Sequence, residues 1–128
     1  MKEQENQVSF RLEKITTEEF AEFEENYVKN KEIQLNSSLE FGVIKEQRII
    51  GVFPSFTFLI AGKPFLKIKI GCHFQLKEDV WETKFDEIRS EITIPLHTIR
   101  HLTILAIGTA RGVLHAKTEN TEFNKYFL

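Results

Sequence analysis

The 128-residue sequence contains one cysteine, one tryptophan, three prolines and six glycines. The single cysteine, Cys72, excludes an internal disulfide and is typical of a reducing compartment, so we expect a cytoplasmic location. No apolar run approaches the length of about 18 residues that a membrane span needs. The polar, acidic N-terminus also lacks the apolar segment of a signal peptide. The length of 128 residues predicts one domain over residues 1–128, and the absences predict no membrane association.

Motifs for phosphate, dinucleotide or serine-nucleophile chemistry are also missing, because GxxxxGK[ST], GxGxxG and GxSxG do not occur. The net charge of -2 gives no basic surface for nucleic acid. We therefore predict that the protein is not an enzyme, carries no cofactor and has no nucleic-acid partner.

His97 and His101 are the one spacing that a metal site or a small-molecule site could use. Side chains four residues apart lie on one face of a helix, as metal ligands can. However, no glutamate lies between them in an HExxH pattern, and no further ligand follows at a suitable spacing. We predict no metal here, and the simpler interpretation is a polar stripe at the start of a helix or at an oligomer interface.

Four segments alternate apolar and polar side chains as half-buried strands do: residues 8–15, 33–43, 48–60 and 65–76. Residues 61–64 predict a tight hairpin between the last two. Pro54 inside the third segment favours a bulge, a bend or an edge position. Residues 16–30, which are rich in glutamate, predict either a short helix capped at Thr17 or an irregular excursion. The glutamates predict a solvated face, with a basic partner as the alternative.

Residues 95–117 predict the one long helix, which is apolar on nearly every side and therefore needs cover on more than one side. Pro95 suits its first turn. The predicted fold class is α+β, with a four-stranded antiparallel sheet followed by this helix packed on one face. Residues 77–93 predict a polar connection with a helical turn. The apolar tail predicts docking on the body, with a longer native chain as the alternative.

Small residues recur along the helix and would let another backbone approach closely, so we predict that they form an oligomer interface. These residues are Ala106, Gly108, Ala110 and Gly112. The sequence also has 12 phenylalanines against two tyrosines, which predicts either a Phe-rich core or an adhesive apolar surface. The third strand segment is apolar on both faces, and that surplus needs either oligomerisation or a client to cover it.

The chain resembles the SecB family of export chaperones and its SecB-like relatives. The order of elements matches, with an N-terminal strand, a crossover, a three-stranded meander, a loop and a long helix. Locally, Pro95 at the helix start, Arg100 one turn later and Arg111-Gly112 before two apolar residues carry the resemblance. His115 stands where that family tends to have proline.

The resemblance implies a homotetramer, built as a dimer of dimers, that holds unfolded or precursor polypeptides without ATP and serves protein transport, with or without a translocation motor. Aromatic grooves would bind the client, and the side chains that we predict for this role are Phe41, Phe53, Phe56, Phe58 and Trp81. Two alternatives stay open. One is a SecB-like chaperone dedicated to a single partner such as an antitoxin, and the other is a small-molecule-binding α+β domain that uses the two helix histidines.

Overall fold

The computed structural model describes residues 9–126 and 128, and it has the predicted α+β architecture. The strands of the main sheet are β1 (Phe10–Glu22), β2 (Gln34–Ile44), β3 (Ile49–Ile60) and β4 (Lys63–Leu76). A short helix α1 (Glu78–Lys84), a hairpin of β5 (Phe85–Asp86) and β6 (Glu91–Ile92), and the long helix α2 (Leu96–Thr118) follow. The interpretations made above for residues 1–8 and Phe127 lie outside the described residues.

The main sheet is antiparallel with the strand order β1-β4-β3-β2, so β1 and β2 form its two edges. The predicted hairpin between β3 and β4 is confirmed, and its two turn residues, Ala61 and Gly62, both have positive φ angles of 50° and 76°. That pair of left-handed residues matches the twist of the flanking strands.

The prediction for residues 16–30 is wrong at its start, because β1 continues to Glu22 and no helix is capped at Thr17. Two β-bulges, at Leu12/Lys14 and at Thr17/Glu19, shift the register with β4. Each bulge inserts one residue and moves the apolar positions to the other parity. The strand pattern of β1 is therefore broken twice in the sequence although the strand is continuous in space.

Pro54 marks neither an edge nor a bulge, because β3 is a central strand and its register with β4 does not change there. Val52 pairs with Cys72 and Ser55 pairs with Lys69, whereas the β3–β4 ladder skips the two residues between. Proline has no N–H to donate, so the ladder is interrupted without an extra residue.

Helix α2 packs on one face of the sheet, over β3 and β4. Its buried positions recur every four residues: Thr98, Leu102, Ala106, Ala110, Leu114 and Thr118. They meet the inward side chains of β3 and β4, among which Phe65, Leu66, Ile68 and Phe74 are fully buried. The helical turn predicted within residues 77–93 is present as α1, and the tail docks through Phe123, which is fully buried.

Candidate client-binding surface

The helix covers the two central strands and leaves a row of apolar side chains uncovered on edge strand β2. We call these residues the β2 row: Leu35, Leu39, Phe41 and Val43. Their partners on β3 are Phe58, Pro54, Val52 and Ile50, all of which are buried. Because directly paired residues share a face of the sheet, the β2 row lies on the helix side. Its members are nevertheless 40–48% exposed.

A smaller uncovered patch lies on the opposite edge of the same face. Leu12 and Ile15 of β1 pair with Phe74 and Cys72 of β4, and they are 43% and 48% exposed. Phe10, at the start of the same strand, is better covered because its ring packs against Phe74 and His101 at 5.6 Å between centroids. Helix α2 thus runs between two strips of exposed apolar surface, of which the β2 row is the longer.

The five predicted client-binding residues are not brought together by the fold. Phe41 belongs to the β2 row, whereas Phe56 and Phe58 are buried beneath the helix side of the sheet. Trp81 is buried as well, and it stacks on Phe85 with 5.0 Å between ring centroids. In this single chain, Phe41 is therefore the one member of the predicted set that lies open on the helix face.

Phe53 lies on the other face of the sheet, where its ring packs over glycine positions that have no side chain. A Cβ atom added at Gly51 or at Gly71 would lie 2.7 Å from a carbon of this ring. The ring also meets His73 edge-on at 5.5 Å, and His73 Nε2 is 3.3 Å from Thr16 Oγ1. Phe53 is half-buried there, so it contributes little apolar surface to a client.

The face that holds Phe53 carries two ion pairs, and its other large apolar side chains, Ile44, Ile49 and Leu59, lie at the ends of β2 and β3. Lys67 forms an ion pair with Glu19 at 2.9 Å, and Lys69 forms one with Glu40 at 3.3 Å. Exposed pairs of this kind contribute little to stability, but they keep the outer face hydrated. The two faces of the sheet therefore differ in kind, and the exposed apolar strips lie beside the helix.

The four predicted interface residues of α2 divide between two sides of the helix. Ala106 and Ala110 are fully buried against the sheet within one chain, so they allow the sheet, and not a second subunit, to approach closely. Gly108 and Gly112 are exposed, and a Cβ added to either would meet nothing within 4 Å. Beside them Ile104 is 70% exposed, so the outward side of the helix remains uncovered.

The histidine pair does not converge on a site. His97 and His101 are both exposed, and His101 packs against Phe10 as described. Across residues 9–126 and 128, no group of three or more His, Cys, Asp or Glu side chains is placed to hold a metal ion. Cys72 is buried, and burial raises the pKa of its thiol, which disfavours the reactive thiolate.

The C-terminal tail forms an aromatic cluster near the C-terminal end of helix α2. Tyr126 donates a hydrogen bond to the Tyr27 hydroxyl at 2.8 Å, and Lys125 Nζ lies within 6 Å of both ring centroids. The hydrogen bond and the nearby ammonium lower the pKa of Tyr27, whereas burial raises the pKa of Tyr126. Phe58 and Phe65 pack under these rings, so the tail seals this part of the core.

The remaining members of the β2 row were absent from the predicted site. Their shared parity in the sequence indicated a strand, but the strand pattern did not show which strands the helix would leave uncovered.

No protein-family model matches the chain, and no curated protein is similar to it. Within the described part of the chain, none of the helices has the length and apolar character needed to cross a membrane.

Proposed function

We propose that this protein is a SecB-like, ATP-independent chaperone that holds unfolded polypeptides on the β2 row. The observation that carries this proposal is the exposure of four apolar side chains on one face of one strand, beside a helix that does not reach them. Leu39, Phe41 and Val43 follow one another on that face, and an exposed apolar patch of this kind is a candidate interaction site. The order of strands and helix supports the SecB-like assignment.

The β2 row suits a client without a fixed sequence. Apolar burial is not directional and stabilises a contact by about 1.5–3 kcal/mol for each fully buried Leu, Val or Phe side chain. Association costs several kcal/mol in lost freedom, so a few such contacts give reversible holding. No catalytic step, cofactor or nucleotide enters this mechanism, and the one buried thiol fits a cytoplasmic setting.

The test is the aggregation of a chemically unfolded protein after dilution, with and without this chain, followed by light scattering. We expect suppression at stoichiometric amounts. The double variant Leu39→Ser/Phe41→Ser removes half of the β2 row and should lose most of it. Ile88→Ser is the matched control, because Ile88 is 97% exposed at the tip of the β5–β6 hairpin and lies outside the row.

Two results would count against the proposal: no suppression by the natural chain, or equal losses in the β2-row variant and in Ile88→Ser. A pull-down from cell extract separates the general chaperone from one dedicated to a single partner. Many co-purifying polypeptides support general holding, and one stoichiometric partner supports the dedicated form.

A further inference from the structure

A cleft of about 340 Å³ lies at the end of the main sheet where β1 and β3 begin and β4 ends. Clefts of this size accept small organic groups. Its apolar part is made by Phe10 and Leu76, which pair across β1 and β4. Its polar part includes three cationic side chains, Arg11, Arg48 and Lys77. The cleft shares no residue with the β2 row, so the proposed function does not account for it.

Arg48 is held at the cleft by two hydrogen bonds to Leu76. The Leu76 N–H donates to the Arg48 carbonyl at 2.9 Å, and Arg48 Nε donates to the Leu76 carbonyl at 3.3 Å. Across residues 9–126 and 128, this Nε bond is the one hydrogen bond of the guanidinium, and no carboxylate lies within 4.0 Å of it. Four of the five N–H donors of this side chain therefore remain for a ligand.

Arg11 forms a wall of the cleft, and its guanidinium already has partners. Its Nε donates to Glu13 at 2.9 Å, and its Nη2 donates to Gln75 Oε1 at 3.0 Å. Gln75 Nε2 in turn donates to the Gln47 carbonyl at 3.1 Å, which joins the wall to the turn before β3. Because Glu13 balances its charge, Arg11 shapes the cleft and leaves anion binding to the other two cations.

The charges that line the cleft favour an anion with a single negative charge. Lys77 is exposed, and no carboxylate in the described part of the chain lies within 4.0 Å of its ammonium group. Arg48 and Lys77 supply two positive charges, and Glu78, which also lines the cleft, offsets one of them. A guanidinium binds a carboxylate through two parallel hydrogen bonds. The neighbouring Phe10 and Leu76 would bury an apolar group attached to that carboxylate.

We propose that this cleft binds a carboxylate attached to an apolar group. The carboxylate lies at Arg48 and Lys77, and the apolar group lies on Phe10 and Leu76. Two sources have this chemistry: a small organic acid, and the C-terminal end of a polypeptide whose last side chain is apolar. The net charge of one at the site suits the carboxylate of either source better than the two charges of a phosphate group.

The test is isothermal titration calorimetry with phenylacetate, phenylacetamide and acetate. Phenylacetate should bind at least about tenfold more tightly than the amide, because the amide cannot form the charged hydrogen bonds. Acetate should also bind more weakly, since it has no ring to bury. A short peptide that ends in phenylalanine, with its α-carboxylate free or amidated, distinguishes the two sources. Binding of the free-ended peptide alone among the two assigns a chain end, whereas binding of phenylacetate and of neither peptide assigns a small acid.

Substitutions locate the ligand. Arg48→Gln should weaken phenylacetate binding by about tenfold, and Arg48→Lys, which keeps the charge, should weaken it less. Lys77→Gln tests the same site at an exposed residue that the fold does not need, and should weaken binding by about threefold. Lys63→Gln is the matched control, because it removes the same charge about 40 Å away at the other end of β4 and should leave the affinity unchanged. Leu39→Ser/Phe41→Ser should leave it unchanged as well.

Three results would overturn the proposal. The first is the absence of binding by phenylacetate and by the free-ended peptide, and the second is equal affinity for phenylacetate and phenylacetamide. The third is a loss in Lys63→Gln or in the β2-row variant as large as that in Lys77→Gln. Aggregation assays do not enter this test, so the carboxylate site and the chaperone function stand or fall separately.

Discussion

One aromatic side chain accounts for the glycines at the centre of the sheet. The Phe53 ring lies over Gly51 of its own strand and Gly71 of β4, and it is 3.5 Å from the position of a Cβ at Gly42 of β2. Three neighbouring strands thus keep bare backbone where one ring crosses them. This arrangement holds a large apolar side chain close against the outer face of the sheet and half-buries it, on the same face as the ion pairs of Lys67 and Lys69.

The substitution Gly71→Ala should therefore lower the free energy of unfolding by about 1–3 kcal/mol, as overpacking does. The added Cβ would lie 2.6 Å from Thr16 Oγ1 and 2.7 Å from the Phe53 ring. Urea unfolding measures this loss, and the loss should shrink in a Phe53→Ala background because one of the two clashes is absent. Gly108→Ala is the control, since nothing lies near its Cβ and alanine favours a helix by up to about 1 kcal/mol. Equal stability of Gly71→Ala and the natural chain would contradict the packing described.

At the scale of elements, the strands that the sequence predicted well are those whose alternation is uninterrupted. The stretch Leu66 to Leu76 keeps its apolar side chains on one parity, and it forms one continuous strand, β4, that pairs with both β1 and β3. The second half of β1 could not be predicted, because two bulges transfer its apolar side chains from even to odd positions and back. A pattern search assumes a constant period, and a bulge violates it without ending the strand.

The C-terminal tail behaves as an element of the core, and Phe123 is its anchor. This side chain is fully buried and packs against Tyr27 at 5.1 Å and against Phe65 at 5.5 Å between ring centroids. Truncation of a buried phenylalanine costs about 3–5 kcal/mol, so Phe123→Ala should lower the free energy of unfolding by an amount in this range. Ile88→Ala, at an almost fully exposed position, should change it by less than about 0.5 kcal/mol. Similar unfolding midpoints for the two variants would show that the tail is not part of the cooperative unit.

At the scale of the whole molecule, the candidate surface follows from a mismatch of widths. A helix about 10 Å wide covers about two strands spaced at 4.8 Å, so a four-stranded sheet leaves its edges open. Which strands are the edges depends on whether β1 joins the meander beside β4 or beside β2, and the alternation pattern fits both. The exposure of Leu39 on β2 and the burial of Leu66 on β4 are consequences of that choice of topology. This is why the fold class could be predicted from the sequence, while the candidate site could not.

The same separation of faces makes a prediction about salt. The β2 row contains no charge, and Glu40, the one charged residue of its strand, points to the opposite face and pairs with Lys69. Apolar burial is not screened by salt, whereas contacts between exposed charges are. The affinity for a labelled, uncharged apolar peptide, measured by fluorescence anisotropy, should therefore change by less than about twofold between about 0.1 and 1 M sodium chloride. Leu39→Ser/Phe41→Ser should bind weakly at both concentrations. A fall of about tenfold or more for the natural chain at high salt would contradict apolar binding on the β2 row.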